Sequence, residues 1–141
     1  MITAIAIAVV AVIAVLAFVH IYWAMGGRLG RSAAIPEING QSAFVPSRAA
    51  TLLVAAALLF AATVVAVAGG LVAEGGFGGL FRMLAFGLSA TFVARAVGDF
   101  RLVGFFKRNR STRFARLDTL VFSPICMALG LAVLYIAVHD V

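Results

Sequence analysis

The chain has 141 residues, 65% of them hydrophobic and 11% charged, and a mean hydropathy of +1.17. So little polar surface cannot clothe a water-soluble core of this size. At roughly 20 apolar residues per spanning helix, four membrane spans and their connections use up the length. The net charge of +6 flanks the apolar runs and comes without an aromatic RNA-binding signature. It therefore reads as membrane topology and attraction to anionic lipid headgroups, and not as a nucleic-acid surface.

The first predicted helix runs from about Ile2 to Ala24. It has no Lys or Arg ahead of it, and its apolar run exceeds a signal-peptide core, so it reads as a retained span. It ends in His20, Tyr22 and Trp23; Tyr and Trp collect at a membrane–water boundary, and Gly26-Gly27 stops the helix. The first loop carries Arg28, Arg31, Glu37, Pro36 and Pro46. Within it Ile38 to Gln41 reads as a turn, because Asn-Gly tolerates positive φ. Ser47 is the expected N-cap of a second helix, about Arg48 to Ala68, closed by Gly69-Gly70.

A short glycine-rich loop with Glu74 leads to a third helix, from about Leu80 to Val97 or as far as Phe106. Its Ala90, Ala94 and Gly98 form a small-residue ridge suited to close helix approach. The third loop is basic, and Ser111 or Thr112 is placed to cap an interfacial turn. The fourth helix runs from about Leu117 to Val138, with Pro124 expected to kink it. The fold class is therefore all-α: a single domain forming a four-helix transmembrane bundle with short connections. The first and third loops hold nearly all the basic residues. The positive-inside rule then puts them in the cytoplasm and puts both termini, including the His139-Asp140 tail, outside an inner (plasma) membrane.

Seven of the eleven Lys+Arg (Arg95, Arg101, Lys107, Arg108, Arg110, Arg113 and Arg116) lie between Arg95 and Asp118. The residues between Arg82 and Arg95 span only ~18 Å of helix, well short of the ~30 Å hydrocarbon core. One or both arginines must therefore snorkel or face inward, and an inward arginine needs a partner. For Arg95 the expected partner is Asp99, four residues on and on the same helix face. The nearest carboxylate to Arg82 in sequence is Glu74.

His20, Trp23, Arg48, Arg95, Asp99 and Asp118 all fall at helix ends on the basic side. Together they suggest a polar pocket that binds an anionic lipid headgroup or amphiphile through paired arginine contacts. The alternative is an accessory subunit whose charges set only topology and partner contacts. A third reading, a membrane enzyme with His20 as acid/base, ranks last: no nucleophile grouping, phosphate-binding loop or metal-ligand spacing accompanies it. The one cysteine, Cys126, cannot form a redox pair or a thiolate cage and reads as a packing residue. No cofactor is implied. The Ala- and Gly-rich helices permit a homo-oligomer or a membrane partner protein without requiring either.

Three segments carry a family resemblance: HIYWAMGGR (His20 to Arg28), VGDFRLVGFFKR (Val97 to Arg108) and TRFARLDTLVFSPICMALG (Thr112 to Gly130). With them the chain resembles, over nearly its whole length, a bacterial family of small four-helix membrane proteins known as domain of unknown function three-nine-nine-five. The resemblance implies four transmembrane helices and no established activity, so it assigns no catalytic residue. Small multidrug transporters fit less well, since they need a glutamate in the first helix. Sterol-isomerase-like proteins place several carboxylates within their helices, and here only Asp99 and Asp118 come near.

Overall fold

The computed structural model describes residues 1–139, so Asp140 of the expected tail lies outside the described residues. Four helices are long and apolar enough to cross a membrane: α1 (Ile2–Ala24), α2 (Arg48–Ala68), α3 (Gly78–Val97) and α4 (Arg113–His139). α1 packs chiefly on α2 and α3 on α4, and the two hairpins meet along α2–α3 and α1–α4. Large apolar side chains such as Phe18, Leu53, Phe60, Met83 and Leu120 point outward and stay exposed. That is the reverse of a soluble fold and suits hydrocarbon solvent.

The buried residues are mostly small, as in membrane bundles, where close backbone approach replaces the hydrophobic drive. The core cluster takes Ala6, Val9 and Ile13 from α1 and Ala61, Ala62, Val64, Val65 and Ala68 from α2. Ala85 and Phe92 of α3 and Leu129, Val133, Ile136 and Ala137 of α4 complete it. Apart from Phe92, these lie in the half of each helix remote from the basic loops. There Ser89 donates its hydroxyl to the Gly130 carbonyl at 2.8 Å. The packed ridge of α3 is Ala85, Ser89, Phe92 and Ala96, whereas Ala90 and Ala94 are exposed. The expected Ala90–Ala94–Gly98 ridge therefore does not pack the bundle.

The two arginines of α3 find partners without a second carboxylate. Arg82 donates Nε to the Ala137 carbonyl near the end of α4, at 2.9 Å, so Glu74 is not its partner. Arg95 turns toward α4.

The local signals read in the loops hold. Asn39 (φ 53°) and Gly40 (φ 78°) form the turn of a two-residue hairpin joining β1 (Glu37–Ile38) and β2 (Gln41–Ser42). Glu37 is paired with Ser42 and Ile38 with Gln41. The Ser47 hydroxyl accepts from the Ala50 N–H at 3.1 Å and caps α2, and the Thr112 hydroxyl does the same for Ala115 at the start of α4. α3 stops at Val97 and does not reach Phe106, because Gly98 takes φ 91°, a conformation that ends helices. The chain then loops back until Gly104 (φ 87°) lies against Gly98. The Phe105 N–H there satisfies the Ala96 carbonyl at 2.8 Å. In α4 the segment Asp118–Phe122 is a π-helical turn just ahead of Pro124, where only a proline kink was expected.

A Cβ at Gly130 would lie 2.7 Å from the Val93 side chain and 3.2 Å from the Ser89 carbonyl. Gly130→Val should therefore force α3 and α4 apart and cost about 1–3 kcal/mol, read as a lower midpoint in thermal unfolding in detergent. Gly87→Ala, which meets nothing within 4 Å, should leave that midpoint unchanged or raise it.

Candidate functional site

At the basic end the helices diverge, and the polar residues gather around Asp118. Its carboxylate is fully buried. Oδ1 accepts from Arg95 Nη2 of α3 at 2.8 Å. Oδ2 accepts from the Gly104 N–H at 2.7 Å, Lys107 Nζ at 3.0 Å and the Ser123 hydroxyl at 3.2 Å. Lys107 is also fully buried, and its other two bonds go to the Gly104 carbonyl at 2.8 Å and the Thr119 hydroxyl at 2.6 Å. An ammonium has three donors, and all three are satisfied here. Arg95 is not: its Nη1 is buried and has no partner among the described residues.

The expected Arg95–Asp99 pair does not form. Gly98 ends the helix between them, so the four-residue helical spacing never places the two side chains together. Asp99 instead folds onto its own loop, and Oδ1 accepts from the N–H groups of Arg101, Leu102 and Val103 at 2.9, 2.7 and 3.0 Å. Slight burial pushes this carboxyl up, and the Val103, Arg101 and Leu102 donors push it down further. The net result lies below the ordinary aspartate value. Asp99 thus organises the loop that delivers Lys107 to Asp118 and lies outside the pocket.

A cavity of about 680 Å3 opens beside Arg95, between α1, α2, the π turn and the first loop. Of the expected site residues, His20, Trp23 and Arg95 line it. Asp118 sits behind Arg95, and Arg48 lines a neighbouring hollow of about 280 Å3. There Arg48 donates Nε to the Ala24 carbonyl at 2.8 Å and caps the end of α1. The His20 imidazole holds the Leu16 carbonyl at 2.7 Å through Nδ1. A carbonyl only accepts, so Nδ1 carries the proton and Nε2 is the nitrogen left over. His20 meets Trp23 edge-on, with centroids 5.1 Å apart, and Trp23 Nε1 donates to the Leu29 carbonyl at 2.7 Å.

Sequence reasoning missed two cations and one wall. Lys107 looked like one more basic loop residue, and only the glycine pair at 98 and 104 hinted that its loop folds back. Arg31 lines the cavity and donates to the Pro46 carbonyl at 3.3 Å. The first loop also supplies apolar lining, with Ile35, Phe44 and Val45.

Fold and site together define a multi-pass membrane bundle with a walled cavity at its basic end. The chain belongs to the family described as "Protein of unknown function (DUF3995)", which matches residues 3–133. No curated protein and no solved structure matches it.

Removing the Asp118 charge strands Lys107 in a buried site. Asp118→Asn should cost about 3–5 kcal/mol, seen as a large drop in unfolding midpoint, and Lys107→Met should cost less because Asp118 keeps Arg95. The depressed Asp99 carboxyl contributes stability above the unfolded aspartate value of about 3.9. That contribution is lost as pH falls through the lower folded value. Hydrogen exchange at residues 101–103 should therefore accelerate only below about pH 4. Asp99→Ala should accelerate it at neutral pH, and Asp99→Asn, which keeps an acceptor, should do so much less.

Proposed function

We propose that this is a binding or transport protein of the inner (plasma) membrane, taking an anionic amphiphile into the cavity at its basic end. The observation that carries the reading is the Arg95 guanidinium. One of its nitrogens is held by a buried carboxylate, another is buried without an acceptor, and the side chain lines a mostly apolar cavity. A buried donor without a partner costs about 1–3 kcal/mol; Nη1 is closed off as it stands, so an incoming anion relieves that cost by drawing the half-buried Arg95 side chain toward the cavity. A small-molecule pocket has this composition: apolar walls with a few convergent polar groups. The positive-inside rule supports a cytoplasmic position for the basic loops, with both termini on the other side. Exposed Arg101, Arg108 and Arg116 then meet the anionic headgroups of the inner leaflet.

Native mass spectrometry in mild detergent, with extraction and identification of what stays bound, tests the proposal. The wild-type chain should retain an anionic lipid or amphiphile. Arg95→Gln should weaken retention about tenfold or more, the worth of one charge-assisted contact, and Arg101→Gln should not change it. An empty species, or a stable complex with a second membrane protein in its place, favours an accessory subunit over a binding protein.

A further inference from the structure

The charges and hydrogen bonds around the cavity narrow the chemistry of its occupant. Two cations, Arg95 and Lys107, surround the single carboxylate of Asp118, which leaves one positive charge over. Arg31 adds a second, since its bond goes to the neutral Pro46 carbonyl. Among the described residues no carboxylate lines the cavity. The wall next to the cations is therefore two charges short of neutral.

Most of the remaining polar groups in the wall are already engaged. Trp23 Nε1 is held by the Leu29 carbonyl and the Thr51 hydroxyl by the Ser47 carbonyl. The Ser47 hydroxyl caps α2, and His20 Nδ1 is held by Leu16. What is left over is the donors of two guanidinium groups, the Ser47 hydroxyl hydrogen and one acceptor, His20 Nε2. With no carboxylate among the described residues of the wall to hold a cation, the excess of positive donors selects for an anion. A bare anion rich in acceptor oxygens satisfies guanidinium forks in pairs, and the shortfall calls for one that carries two charges. A phosphomonoester is close to doubly charged at neutral pH, because its second ionisation lies near 6. A carboxylate or a phosphodiester carries only one charge. The rest of the wall is apolar, with Leu16, Ile35, Phe44, Val54 and Phe122. Phe44 and Val54 stay exposed at the rim.

We infer that the cavity takes a phosphomonoester carried on an apolar chain, with the phosphate between Arg31 and Arg95 and the chain along Leu16, Ile35, Phe44 and Val54. This rests on the cavity being the binding site and adds the charge and source of the headgroup.

The full-length protein in nonionic detergent is titrated at about pH 8, where a phosphomonoester is fully dianionic. The probes are dodecyl phosphate, its monomethyl ester, dodecanoate and inorganic phosphate. Dodecyl phosphate should bind about tenfold or more tighter than the methyl ester or dodecanoate. Arg31→Gln should collapse that preference toward unity, and Arg31→Lys should restore much of it. Arg31 lies in the first loop, and the one side-chain hydrogen bond it makes among the described residues goes to the Pro46 carbonyl, so these variants should fold even if Arg95→Gln does not. Equal affinity for the phosphate and its methyl ester overturns the dianion and leaves the anion-binding proposal standing. Inorganic phosphate binding as tightly as dodecyl phosphate overturns the apolar chain. Binding of none of the probes overturns this inference and the proposed function together.

Discussion

The basic end of the molecule depends on one buried carboxylate. Asp118 lies on α4, and its partners come from three places: Arg95 at the end of α3, Gly104 and Lys107 in the returning loop, and Ser123 one π turn onward. Taking these charges out of water is costly, and only dense hydrogen bonding repays it. Both carboxylate oxygens are bonded, and so are all three Lys107 donors, which meets that condition. The π turn has a geometric reason here. Residues five apart sit about 140° apart on an α-helix, so their side chains do not meet. The wider π turn brings Ser123 back under Asp118. It also lies just before Pro124, whose missing N–H already interrupts the helical bonding.

The bundle is built differently at its two ends. Away from the basic loops, Ala, Gly and Val let the helices close tightly, and a serine hydroxyl bonds a carbonyl across the α3–α4 contact. At the basic end the core cluster has run out. The space between the hairpins is walled by the first loop instead, pinned through Arg31 to Pro46 and through Asn109 to the Glu37 carbonyl. A tight half gives the bundle its stability, and the half that does not close becomes a cavity with cations at its base. Arg95 belongs to both systems, since the group that anchors α3 to α4 is also part of the cavity wall.

What the sequence by itself determined is whatever depends on near neighbours. Hydropathy and run length establish four membrane-length helices. Asn39-Gly40, Ser47 and Thr112 act within three or four residues of themselves, and each does in the structure what its local chemistry dictates. The mismatch between Arg82 and Arg95 was legible as well, because it is a matter of distance along one helix. What only the tertiary structure decided is which partners meet. Asp118 binds groups 23, 14 and 11 residues away, across a loop whose path is set by the backbone crossing of Gly98 and Gly104. Helical spacing favoured Asp99 for Arg95, and a single left-handed glycine removed Asp99 from the helix. Lys107 and Arg31 joined the centre because a loop folded back, and periodicity carries no record of that path.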